Sequence, residues 1–289
     1  MKALIFLAIL FHFTISIAAE GESRFHLFNM KCDSNAEVTS EGLDATPQSP
    51  PLDVDDPGTP GCNKWEINVL VNSDITKDEK DWNLPLLDMN YGIGENLQLK
   101  YEVPFVNKQT EENSVSAAGS SKLGLKIKFF DDEASKLQLA FYPQYEFSNR
   151  SAEEKGVETK GTTTILPLLL SKKIGENSKG DIVMTVNLSY NKTTKEDESD
   201  FVSTAVGTGL PLTTRTVLMG ELSTEQALVK NSDDIRGQLV KANLGGISLV
   251  KKWLAVYGSI GKGLYSTDVQ DHSYALIGIK ILTDGFGNN

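Results

Sequence analysis

From Trp65 onward, apolar and polar residues alternate with a period of two. Trp65, Ile67, Val69 and Val71 alternate with Glu66, Asn68 and Asn72, and Leu70 is the one apolar residue on the second face. Leu97, Leu99, Tyr101, Val103 and Phe105 alternate with Gln98, Lys100 and Glu102; Leu123, Leu125, Ile127 and Phe129 alternate with Gly124, Lys126 and Lys128. Leu137 to Phe147 and Ile182 to Tyr190 repeat the pattern. Successive strand side chains point to opposite faces, so each segment is a strand with one apolar and one polar face. Less regular segments at 83–91, 162–173, 201–210, 215–222, 239–249, 252–261 and 273–282 bring the expectation to about twelve strands. Many have the roughly 9–11 residues that cross a bilayer when tilted.

The connections predict how the strands are arranged. Read from these limits they run long and short in strict alternation, from Ser73–Asp81 (long) and Gly92–Glu95 (short) to Val250–Lys251 (short) and Lys262–His272 (long). A membrane-spanning antiparallel barrel produces this pattern, with tight periplasmic turns at one rim and longer external loops at the other. The predicted fold is therefore all-β: an antiparallel transmembrane barrel of about twelve strands, with both barrel ends at the short-turn rim. Aromatics near strand ends, among them Phe105, Phe147, Tyr190, Phe201 and Tyr274 at one rim and Trp65, Tyr91, Phe129 and Trp253 at the other, suit interfacial girdles. A secreted soluble sandwich or barrel also alternates, with its apolar face turned inward. Long charged side chains in mid-strand favour the membrane version.

The first residues place Lys2 before an apolar run that ends in Ser16-Ile17-Ala18-Ala19. This reads as a secretory signal peptide over 1–19, too short and too interrupted for a membrane anchor. Residues 20–63 form an acidic, Pro-rich leader, expected to be a solvated linker, a disulfide-closed loop or a plug; residues 64–289 are the expected barrel. Cys32 and Cys62 are the only cysteines. In an exported chain such a pair suggests a disulfide, whose loop of about 30 residues would stabilise by roughly 3–4 kcal/mol. With 28 Lys+Arg against 39 Asp+Glu the net charge is −11, which speaks against a nucleic-acid partner.

The stretch from Asp88 through Asn90-Tyr91-Gly92 to Val103-Pro104-Phe105 resembles an outer-membrane transporter family named for a phenol-degradation meta-pathway operon. Gly124–Phe130, Phe141–Phe147 and Leu166-Pro167-Leu168 resemble later hairpins of that family, and the likeness spans about residues 65–282. It implies a barrel in the bacterial outer membrane that passes small, often hydrophobic or aromatic, compounds. Outer-membrane lipid, a small-molecule solute and the barrel-insertion machinery are the implied partners. That machinery reads a terminal aromatic residue, and Phe286 is the nearest to the end.

The alternation turns Lys100, Glu102, Lys126, Lys128, Gln144 and Glu146 toward one interior, where mixed charges would line a lumen and contact a solute. Alternatively, these charges simply pair across neighbouring strands. Glu66, Asn68, Thr185, Asn187, Arg215 and Glu221 are further lumen candidates. No metal or cofactor motif is present. The Asp271-His272-Ser273 triplet is no catalytic triad, because adjacent strand residues face opposite ways. The expected function is a passive pore or transporter rather than an enzyme; a non-conducting structural or adhesive barrel stands as the alternative.

Overall fold

In the computed structural model the alternating segments are strands; residues 45–132, 135–196, 198–230, 236–267 and 271–284 are described. The signal peptide, Cys32 and Phe286 lie outside the described residues. The strands are β1 (Lys64–Ile75), β2 (Glu79–Gly92), β3 (Leu97–Thr110), β4 (Ser114–Ala118), β5 (Ser121–Asp132), β6 (Leu137–Phe141), β7 (Gln144–Phe147) and β8 (Thr162–Asn177). They continue with β9 (Gly180–Thr193), β10 (Phe201–Thr213), β11 (Thr216–Lys230), β12 (Arg236–Lys251), β13 (Leu254–Ser266) and β14 (Ser273–Asp284). One short helix, α1 (Arg150–Glu154), follows β7.

These fourteen segments make twelve barrel strands. β4 and β5 pair with β3 along its length, interrupted at Gly119-Ser120, and β6 and β7 both pair with β8, interrupted at Tyr142-Pro143. Every neighbouring pair is antiparallel, and β1 closes the ring against β14 in an unbroken register from Lys64↔Asp284 to Ile75↔Ser273. Closure leaves no open edge, so backbone polar groups at membrane depth are satisfied between strands.

The outer face is apolar. Leu99, Leu123, Phe141, Leu168, Leu188, Leu218, Leu244, Ile260 and Ile277 all stand exposed, distributed around the ring. An exposed apolar surface of this extent suits lipid and would aggregate in water. The inner face carries the opposite set: Asn68, Asp88, Asn90, Gln98, Lys100, Lys126, Thr185, Asn187, Glu221 and Lys280 are all buried.

Several connections are shorter than the sequence suggests. The supposed long loop at 73–81 is a tight turn in which the Thr76 N–H donates to the Glu79 carbonyl at 2.9 Å. The one at 107–121 turns at Glu111–Asn113, with β3 and β4 continuing to either side. Strands of 12–16 residues exceed a bilayer span, so polar strand ends project beyond it and had read as loop. Residues 148–161 do form a long connection, in which Ala152 of α1 and Val157 beyond it pack against Ala117 and Val106.

For the leader, the sequence left a solvated linker, a disulfide-closed loop and a plug open. Acid and proline content had suggested a solvated linker around Asp44–Asp56, but in the described part Pro47, Pro51, Leu52, Val54 and Pro57 are buried within the barrel. Leu52 and Val54 pack on inward-facing Leu70, Ala205, Val217, Met219, Ile247, Ala255 and Tyr257, and this interior cluster is the molecule's main apolar core. Burying side chains of this size contributes about 1.5–3 kcal/mol each. The wall makes room with glycine: a Cβ on Gly209 would overlap the carbonyl oxygen of Ala45, and one on Gly92 would overlap that of Gly61.

Candidate functional site

The lumen is the one place where strands from every side present functional groups to each other. The leader divides it. Toward the apolar wall it offers Leu52 and Val54; toward the polar wall of β2, β3 and β5 it offers Asp55, Asp56, Gly58 and Thr59, around a polar cavity of about 60 Å³. On the other side of the leader, toward the long-loop rim, lies a larger space of about 480 Å³.

Hydrogen bonds fix the leader to strands around the ring. The Val54 N–H donates to Glu221 Oε2 at 2.6 Å, and the Asp55 N–H donates to Asn187 Oδ1 at 2.7 Å. Asn187 Nδ2 returns a bond to the Asp55 carbonyl at 2.8 Å. Ser259 Oγ donates to the Pro51 carbonyl at 2.7 Å, Thr185 Oγ1 to that of Pro47 at 3.3 Å, and Lys280 to Gln48 Oε1. Prolines suit this segment because they bring carbonyl acceptors without N–H groups that would need partners in the lumen. Burial pushes the Asp55 carboxyl above the usual carboxylate range, and Lys100 and Lys126 offset part of that push.

Lys126, expected as a lumen charge, holds the leader. Its Nζ donates to the carbonyls of Asp56 at 2.7 Å and Gly58 at 3.1 Å, and sits 3.9 Å from Asp56 Oδ1 and 4.8 Å from the Tyr142 ring centroid. Lys128 pairs instead with Asp131 at 2.7 Å, near the end of β5 that leads into the short turn to β6. Lys100, Glu102 and Glu146 join a ladder of alternating charge. Lys100 Nζ lies 3.4 Å from Asp88 and 2.8 Å from Glu102; Lys122 lies 3.1 Å from Glu102 and 4.0 Å from Glu146; Lys195 lies 2.8 Å from Glu146. Gln144 is buried beside them and lines the larger space.

Of the further candidates, Asn68, Thr185, Asn187 and Glu221 are buried on the inner face, and Glu66 pairs with Lys280 at 3.0 Å. Arg215 is corrected: it occupies the exposed turn between β10 and β11. Two supposed girdle aromatics are also corrected. Phe201 lines the larger space, and Tyr274 lies under Lys241, whose Nζ is 5.3 Å from its ring centroid. Both sit on the inner parity of their strands, which alternation at frayed strand ends did not resolve.

Sequence reading missed Asp88, Lys122, Lys195, Lys241 and Lys280. Lys122 shares its strand's parity with Lys126 and Lys128 and was legible in principle, whereas Asp88 comes into place through the register that sets it opposite Asn68 and Glu102. The importance of Lys241 and Lys280 depends on the leader, since their partners include Asp53 and Gln48. Among the described residues no cysteine is free; Cys62 is one of them, and its expected partner Cys32 lies outside. No group of three or more His, Cys, Asp or Glu among the described residues is arranged to hold a metal ion.

No family model matches the chain, and no curated protein matches it. Among solved structures, an outer-membrane channel from Pseudomonas putida F1 superposes with a TM-score of 0.65 at 11% identity, over 80% of this chain and 100% of that one. The NanC porin superposes with a TM-score of 0.53 at 8% identity, over 74% of this chain and 98% of that one. What the chain shares with both is the fold: a closed antiparallel β-barrel.

Proposed function

We propose that the protein is an outer-membrane channel through which small solutes pass passively. One observation carries this reading: a closed twelve-stranded ring turns a continuous apolar face outward and gathers charged and amide groups around an interior space of about 480 Å³. That polarity is the inverse of a soluble barrel's and fits a wall between lipid and water. The channel and porin folds it superposes on support the reading. The likeness of residues 88–105 to the phenol meta-pathway family supports a finer version, in which the solutes are small and hydrophobic or aromatic. The charged lumen residues set the permeation path, and the leader narrows its periplasmic half.

A second reading, a structural barrel that does not conduct, is favoured by the leader itself, which crosses the lumen and bonds to β9, β11, β13 and β14. Reconstitution into planar bilayers separates the two: a channel gives stepwise conductance, whereas a blocked barrel inserts silently.

A further inference from the structure

The space above the leader has an internal chemical pattern. On β1 and β2, Leu70 stands directly opposite Leu86, and Leu276 of β14 lies beside them; all three line the cavity, whose floor includes Leu52 of the leader. On β9 and β10, Ser189 stands directly opposite Ser203, flanked by Asn191 and, on β11, Ser223. In the ring of twelve, β9 lies six strands from β1, so the apolar patch faces the hydroxyl and amide patch across the lumen. Ser189 and Ser203 are already bonded to Asn191, at 3.3 and 3.1 Å. Ser223 Oγ is buried with no hydrogen-bond partner among the described residues. A buried hydroxyl without a partner is unfavourable unless something from the cavity supplies one.

The lysines of this cavity are all held in ion pairs. Lys100 is held by Asp88 and Glu102, Lys122 by Glu102, and Lys241 by Asp53 at 2.7 Å and Glu225 at 3.6 Å. A charged solute would have to separate one of these pairs and leave a partly buried charge unpaired, which is strongly unfavourable. An uncharged solute disturbs none of them.

We propose that this cavity is a docking subsite for a small, uncharged, amphipathic solute, with its apolar face on Leu86 and Leu276 and its hydroxyl or amide edge toward Ser223, Ser203 and Asn191. This deepens the channel reading and rests on it for its physiological meaning. The volume is within the range of pockets that hold small organic ligands, and its lining is mostly polar, with the leucines confined to one side.

The test is calorimetric titration of the full chain in detergent micelles, with trans-1,2-cyclohexanediol as probe. Cyclohexylammonium and cyclohexanecarboxylate serve as charged analogues, and inositol as an analogue without an apolar face. The diol is expected to bind saturably at one site, at least about tenfold more tightly than the other three. Ser223→Ala is expected to weaken it roughly fivefold, in line with loss of one hydrogen bond, and Leu276→Asn by a similar or larger factor. Ser171→Ala, on the inner face of β8 but away from the cavity, should leave binding unchanged. No saturable diol binding, equal binding of a charged analogue, or an unaltered affinity in the conservative Ser223→Ala variant would each overturn the inference. Binding in micelles does not require conduction, so an intact diol site in a protein that gives no bilayer conductance would remove the channel reading and leave the subsite standing.

Discussion

Replacing Lys126 with Met should loosen the leader's docking in the lumen while leaving the barrel folded. Lys126 Nζ makes two charge-assisted hydrogen bonds to leader carbonyls, at 2.7 and 3.1 Å, from a buried position on β5. Hydrogen bonds to charged groups contribute about 1.5–3 kcal/mol each. Taking the low end for both gives about 3 kcal/mol, which at 1.4 kcal/mol per factor of ten raises the undocked fraction of the leader by ~100-fold. Methionine keeps most of the apolar stem, so packing against Tyr142 is largely retained. Hydrogen exchange in detergent reads the result, because the Val54 and Asp55 amides are protected by Glu221 and Asn187 only while the leader is docked. Their protection should fall by about two orders of magnitude in Lys126→Met if the two hydrogen bonds contribute as estimated. Lys128→Met removes the same charge from the same strand but touches only Asp131, and should leave the leader protected. Unchanged protection in Lys126→Met, or an equal fall in Lys128→Met, would refute the assignment of Lys126 as a leader clamp.

Other outcomes follow from the same geometry. Leu99→Arg or Phe141→Arg, both on the exposed apolar face, should destabilise the barrel by about 2–4 kcal/mol near the bilayer midplane in refolding titrations into lipid. Ser189→Ala on the inner face should change stability little, and equal effects at both faces would contradict the lipid assignment. Because the Asp55 carboxyl is shifted upward by burial, its contribution to leader docking is complete below its undocked pKa and is lost as pH rises through its docked value. Leader protection at Asp55 should therefore weaken from acid toward neutral pH, a dependence that Asp55→Asn should flatten; protection that grows with pH in both proteins would show the sign to be wrong. If Cys32 and Cys62 are bridged, non-reducing mass spectrometry of protein from an oxidising compartment should find no alkylatable thiol. Two alkylated cysteines would show that no bridge had formed.

The strands were legible because lipid outside and polar groups inside impose a strict two-residue period on each crossing. Leu99, Leu123 and Phe141 point out, and Lys100, Lys126 and Gln144 point in, as that period requires. It loses force at strand ends, where neither lipid nor a packed core constrains side chains. This is why the turns at Thr76–Asp78 and Glu111–Asn113 read as long loops, and why Phe201 and Tyr274 read as girdle residues. The leader was legible only as alternatives, linker, loop or plug, and for a different reason. Pro47, Gln48 and Asp53 to Asp56 have the composition of a solvated linker, and only contact with the wall shows that their carbonyls, N–H groups and few apolar side chains match partners more than a hundred residues away. The same limit hid what Lys126 does. Alternation gives its direction, but its partners belong to a segment whose path alternation does not encode. Leu70, the apolar exception on the polar face of β1, was the one local sign that something apolar sits inside; it packs with Leu52 and Val54.

The most direct test of the central claim is single-channel recording of the purified full chain in planar bilayers. The account predicts discrete conductance steps, and more frequent openings to a larger step in Lys126→Met, because the undocked leader is then more populated and leaves the periplasmic half of the lumen wider. Insertion without any conductance in either protein, together with no uptake of small solutes into proteoliposomes, would contradict the channel reading and favour the non-conducting barrel.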